Sequence, residues 1–324
     1  MYSLKIMNLT PEIIFEDLKH NRINKKTAYD LLISLVENSE NENVRLNAII
    51  NLEKIGLINK DLFNFLEDLL ISDSNSIIRF AAIKFLKHKF LQKAINPFKW
   101  AINHETNYEC LIKIIQTLDK INSYESKLIL INQIKKIIKI KFLSKERRIE
   151  NKKFRIVLKK FIKSKKVMDF THRELAEVLI NYLTINNLIN QFPNVYYEIN
   201  LQNGLIEELD LSDYLEYEVK GTPFGWKNNI QSISQIMGLK YLKSLNKIDL
   251  SNNNIENVKE VVQLKELTHL ILTNNKICEI ENLNYIKCLP RLEYLDLRGN
   301  ELGKRISLDE FDPKIRVLLK ETYL

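Results

Sequence analysis

The sequence predicts two consecutive repeat solenoids. The first is an all-α array, and the second an α/β array whose short strands form a parallel sheet closed by end caps. Three observations predict this. After residue 240, a pattern of apolar residues at offsets 0, 3, 5 and 10, with Asn at offset 8, occurs three times. Before residue 120, a helical frame recurs at shifts of 34 and 32 residues. Six of the seven glycines lie at 204 or beyond, so turns concentrate on the C-terminal side of a boundary near Pro193.

Composition sets the outer bounds. A chain of 324 residues suits two domains or a repeat array. Ile (44) and Leu (48) make 28% of it, which excludes disordered, collagen-like and disulfide-scaffold classes. Ala (7) is rare beside Asn (36) and Lys (38), the mark of an AT-rich coding bias, so lysine enrichment alone carries little weight. The net charge of +8 is uneven: residues 135–166 hold 15 basic and two acidic side chains. Cys110, Cys278 and Cys288 are odd in number and far apart, which points to a reducing compartment, the cytoplasm. MYSLKIMNLTPEII lacks the basic and apolar regions of a secretory signal. No run approaches 18 apolar residues, so no transmembrane helix is expected.

Residues 10–135 show the 3.6-residue apolar period of helices. Thr10-Pro11-Glu12 starts the first, with a hydroxyl N-cap and proline in the first turn. Asn41, Val44, Arg45, Ala48 and Leu52 correspond to Asn75, Ile78, Arg79, Ala82 and Leu86. Asn107, Cys110, Ile114 and Leu118 repeat the frame, with Leu111 in the arginine position. The frame resembles HEAT-like repeats, in which a short turn precedes an inner helix beginning N-x-x-V-R-x-x-A. The resemblance implies an α-solenoid over 1–134. Tetratricopeptide repeats share the period, but their W…LG…Y…P pattern is absent. Residues 135–192 read as a basic helical connector continuing the helical part. In it Phe154, Val157, Leu158, Phe161 and Ile162 form an apolar stripe, and Thr171-x-x-Glu174 opens a further helix with a capping box.

The C-terminal units are LNKIDLSNNNI, LTHLILTNNKI and LEYLDLRGNEL, starting at Leu245, Leu267 and Leu292. In each, the LxL residues form a strand with alternate side chains directed to a core. The asparagines Asn253, Asn275 and Asn300 turn the chain and satisfy backbone groups left unpaired there. Between units, Val258, Val261 and Leu264, then Ile280, Leu283, Ile286 and Leu289, fall every third position, the period of 3₁₀ turns. An earlier strand is supplied by Ile206, Leu209 and Leu211, whose Asn turn is missing. The 212–228 stretch after it, carrying Tyr214, Tyr217, Phe224 and Trp226, reads as an insertion.

These units resemble the leucine-rich repeat family, in particular its short 22-residue class, over about residues 205–324. The resemblance implies a curved solenoid with a parallel concave sheet, and the class is similar to regulators and targeting subunits that bind proteins. The domain 193–324 is expected to open with a hairpin cap at 195–211 turning at Asn203-Gly204. Its repeats run to about 305. A helical C-cap at 307–322 starts at SLDE and carries Phe311, Ile315, Leu318 and Leu319.

Catalytic chemistry finds no support. The five histidines are isolated, HExxH, CxxC and GxSxG are absent, and GTPFGWK has the wrong spacing for a phosphate loop. A non-enzymatic protein–protein interaction scaffold without cofactor is the first expectation. The alternative is binding of nucleic acid, or another anionic surface, through 135–166, where Lys152, Lys153, Arg155, Lys159, Lys160 and Lys163 flank the apolar stripe. Candidate partner contacts on the concave face are Asp210, Asp249, His269, Ile271, Tyr294 and Asp296, with the three aspartates forming an acidic strip. Tyr217, Phe224 and Trp226 form a candidate binding loop. The protein partner is unspecified, and a monomer is favoured.

Overall fold

A computed structural model describes residues 9–139, 148–213 and 228–320, with the side chains of 148–152 left outside the described residues. The chain divides into two compact units, Met1–Asn132 and Gln133–Leu324.

The first unit is a helical array of α1 (Pro11–Lys19), α2 (Lys25–Asn38), α3 (Glu42–Ile55), α4 (Lys60–Ser72), α5 (Ser76–Lys89), α6 (Ile95–His104) and α7 (Tyr108–Ile121). The next helix, α8 (Tyr124–Lys139), runs across the division. Helices α1, α3, α5 and α7 pack in succession as one layer, with α2, α4 and α6 packed behind them. The recurring asparagines are the N-caps: Asn41, Asn75 and Asn107 accept N–H groups from the first turns of α3, α5 and α7. Ala48 and Ala82 are fully buried, small enough to let neighbouring helices approach.

The arginines of the frame link the repeats. Arg45 donates from Nε to the Val36 carbonyl at 2.7 Å and from its terminal nitrogens to Asp73. Arg79 forks onto Glu105 at 2.7 and 2.8 Å and also reaches the carbonyls of Asp73 and Ser74. Both carboxylates stand two residues before the next N-cap asparagine, so each repeat grips the turn of its successor. Leu111 ends the ladder. Cys110, in the same frame, lies buried against the Ser76 carbonyl, and burial pushes its thiol up to about 12.

In the second unit α9 (Arg148–Ser164) and α10 (His172–Gln191) precede six strands. These are β1 (Tyr196–Ile199), β2 (Ile206–Asp210), β3 (Lys247–Asp249), β4 (His269–Ile271), β5 (Tyr294–Asp296) and β6 (Arg316–Leu318). They form one sheet in chain order, β1 antiparallel to β2 and all later pairs parallel. The β1–β2 turn uses Gly204 at φ +74°, where a Cβ would press on Val178 of α10 at 3.3 Å. Helix α10 is buried on most sides, and Asn181 accepts the N–H of Ile206 at 2.9 Å. Phe154 of α9 packs edge-on to Tyr182 and near Tyr197. These two helices therefore pack onto the first strands, within the compact unit that holds the sheet.

Four expectations need correction. The 307–322 helix does not form: Leu308–Glu310 is one 3₁₀ turn, and β6 follows as a sixth strand. Pro313 disfavours helical backbone at Asp312, and Ser307 caps only the N–H of Asp309. The linker between β4 and β5 contains an α-helix, α11 (Glu281–Lys287), where a 3₁₀ turn was expected. This linker belongs to the 25-residue spacing between units, three longer than its predecessor, and the extra length admits a full α-turn, leaving Ile280 exposed. A short α12 (Glu301–Arg305) follows Asn300. The asparagine of the first repeat is also present. Asn228 donates to the Leu211 carbonyl at 2.9 Å, the bond that Asn253 and Asn275 make to Leu250 and Leu272. Finally, 135–192 does not simply continue the first helical array, because its apolar stripe is used against β1 and α10.

Candidate protein-interaction surface

The parallel register sets the outward-facing rows of the sheet. One row runs Glu208, Lys247, His269, Tyr294 and Arg316, and the other Asp210, Asp249, Ile271, Asp296 and Leu318. Between them Leu209, Ile248, Leu270 and Leu295 are buried in the core. Strand β1 adds Glu198 beside Glu208 and Tyr196 beside Asp210. All six predicted concave-face residues thus share one surface. Glu198, Tyr196 and Arg316 extend it, and Arg316 was missed because its segment carries a helical spacing.

The aspartates are partly structural. Each ends its strand by accepting the N–H two residues on, from Ser212 at 2.8 Å, Ser251 at 2.9 Å and Arg298 at 3.1 Å. Asp210 and Asp249 also accept the hydroxyls of Ser212 and Ser251. Burial pushes the Asp249 carboxyl up, against the Ser251 donors, and the charge of Asp210 adds to the rise. Asp296 differs. It is 2% exposed, and Arg298 clamps it with Nη2 at 2.6 Å. Burial raises its carboxyl, but the Arg298 guanidinium and N–H outweigh that and hold it below the usual aspartate range. The expected strip of three aspartates is therefore shorter: Asp296 presents no free charge.

What faces outward is graded. At one end Glu198, Glu208, Asp210 and Asp249 surround Lys153 and Lys247, bordering a cavity of about 280 Å³. Lys247 pairs with Glu208 at 3.1 Å and Lys153 with Glu198 at 2.8 Å, so the cavity keeps an acidic excess. In the middle, His269 stacks on Tyr294 with centroids 5.6 Å apart, and the Arg316 guanidinium lies over the Tyr294 ring at 5.7 Å from its centroid. The Thr268 hydroxyl lies 3.0 Å from the Asn246 carbonyl and 2.8 Å from the His269 Nδ1, a contact that fixes the orientation of the ring.

The remaining candidates separate. Lys153 and Arg155 are spent within the unit, on Glu198 and the Tyr197 carbonyl and on the Ile138 carbonyl. Lys159, Lys160 and Lys163 are exposed. The side chain of Lys152 and the loop residues Tyr217, Phe224 and Trp226 lie outside the described residues. Asn253, Asn275 and Asn300 are buried and fully bonded.

Strands, turns and helix pairs of this kind define a repeat-solenoid protein. Residues 15–87 match the family of HEAT repeats, and residues 226–277 match the leucine rich repeat. The chain thus carries HEAT repeats followed by leucine-rich repeats. No curated protein matches it. Among the described residues, no helix is long and apolar enough to cross a membrane.

Proposed function

We propose that the chain is a non-catalytic interaction scaffold whose leucine-rich repeat sheet docks a protein segment bearing a basic side chain. Both repeat families commonly serve as protein-interaction scaffolds, and repeat sheets offer extended binding surfaces. The observation that carries the reading is the acidic cavity beside the His269–Tyr294 stack, since a cation meets carboxylates there and its flanking chain meets aromatic faces. Cysteines free of disulfides among the described residues suit work in the cytoplasm. Asp210→Asn with Asp249→Asn tests the reading cleanly, because Asn keeps the strand-end acceptor and removes only charge. Proteins captured by the wild-type chain should lose at least about tenfold in affinity to this variant carrying Tyr294→Ala as well. Unchanged capture by a variant with a wild-type melting temperature refutes the sheet as the docking surface.

A further inference from the structure

The outward face of α9 serves neither the core nor the sheet surface. Ile156, Lys159, Lys160 and Lys163 stand at i, i+3, i+4 and i+7, one stripe about 10 Å long. The stripe lies opposite the buried residues Phe154, Val157, Leu158 and Phe161. Lys166 extends it into the 3₁₀ turn Val167–Asp169. Exposed apolar side chains stand at both ends: Ile156 at 46%, and Val167 and Met168 at 36% and 63%. Lys165 is withdrawn from the set, bonded to Glu174 at 2.5 Å and lying over the Phe170 ring. Among the described residues no carboxylate pairs with Lys159, Lys160 or Lys163, and the turn adds only Asp169.

We propose that this face docks the chain on an anionic phospholipid bilayer, with the lysines at the headgroup phosphates and Val167 and Met168 inserted between lipids. Four cations in a row attract any polyanion, so the charge alone does not choose. The apolar side chains do. Hydrocarbon groups gain nothing from a phosphodiester backbone but gain from the interfacial zone of a bilayer. Single-stranded nucleic acid would need aromatic platforms, and among the described residues of α9 and the turn after it the aromatics, Phe154, Phe161 and Phe170, are all buried.

The test is co-sedimentation of the full chain with phosphatidylcholine vesicles, with or without phosphatidylserine. Wild-type protein should partition to the anionic vesicles only, and lose that partition as salt rises. Each juxtamembrane lysine is worth roughly fivefold, so the Lys159→Gln, Lys160→Gln, Lys163→Gln variant should lose on the order of 100-fold. Gln keeps the helix propensity of Lys, and an unchanged thermal melt shows that the variant is folded. Met168→Ser should lower partition several-fold with no change in charge. Equal binding to neutral vesicles, undiminished binding by the Gln variant, or indifference to Met168→Ser would each overturn the proposal. So would tighter binding to RNA or DNA than to the vesicles.

Discussion

At the scale of single residues, the side-chain amides of the repeat turns carry the most readable physics. Asn253 donates to the carbonyls of Leu211, Leu250 and Ser251 and accepts the N–H of Ile230 at 3.0 Å. Asn275 makes the same set one repeat later, ending on the N–H of Ile255 at 2.9 Å. Each amide therefore bonds its own turn and the preceding repeat, in a buried setting that admits no replacement donor. Asn253→Ala and Asn275→Ala should each cost about 1–3 kcal/mol, measured by chemical denaturation. Unaltered stability in both would mean that the repeat register is wrong. The spacing made these two residues and Asn300 legible, because chemistry and period coincide. Asn228 escaped because 14 further residues separate it from Leu211, and counting fails across an insertion; the Asn-x-Ile it shares with Asn253-Asn254-Ile255 was the signal available. The misjudged strip has a different cause. Alternation along a strand told which way Asp296 points but not that Arg298, two residues on, would fold back and neutralise it.

At the scale of elements, the helical repeats are joined by ion pairs as well as by apolar packing. Glu105 is almost wholly enclosed, and accepts from Arg79 and from the N–H groups of Thr106 and Asn107 at 2.8 and 2.7 Å. Burial pushes its carboxyl up, yet the Arg79 fork and the two N–H groups outweigh that and hold it below the ordinary value of 4.5. A folded value below the unfolded one means stability that is present above pH 4.5 and is lost as pH falls through the folded value. Glu105→Gln removes one partner of an enclosed pair and should cost about 3 kcal/mol at neutral pH. The variant should also show a flatter decline in acid, followed by urea titration across pH. A Gln variant as stable as wild type, with the same acid slope, would dismiss the ladder as a stabilising feature. The recurrence of Arg45 and Arg79 was visible in the sequence, but their acceptors were not, since Asp73 and Glu105 differ in length and only their place before the next N-cap is shared. The C-terminal element was misread for a comparable reason. Phe311, Ile315, Leu318 and Leu319 fit a helical spacing, while Pro313 argues against a helix. The open edge of β5 is met by the backbone of Arg316–Leu318, with Leu297 donating to the Leu318 carbonyl at 2.8 Å.

At the scale of the whole molecule, the question is what must be present for the leucine-rich repeat sheet to stand. Composition places a boundary near Pro193, where glycines begin and helices cease. Packing places the division 60 residues earlier, between Asn132 and Gln133. The difference is physical. A repeat sheet exposes an apolar end that must be covered, and β1 covers only the hydrogen-bonding edge. Beneath it, α10 buries Leu175, Val178, Leu179, Tyr182, Ile185 and Leu188, and α9 adds Phe154, Val157, Leu158 and Phe161. Without these helices Gly204, Ile206 and Tyr197 would face water, and the Ile206 N–H would lose its Asn181 acceptor. Burial of ten such side chains, at roughly 1.5–3 kcal/mol each, is at least as large as the 5–15 kcal/mol by which a domain is stable. A fragment spanning 193–324 should therefore be unfolded or aggregated, whereas one spanning 133–324 should melt in a single cooperative transition. Circular dichroism and size-exclusion chromatography of the two fragments decide the matter. If 193–324 is monomeric, folded and melts with the longer fragment, α9 and α10 are a dispensable connector and the boundary read from glycine content is the correct one.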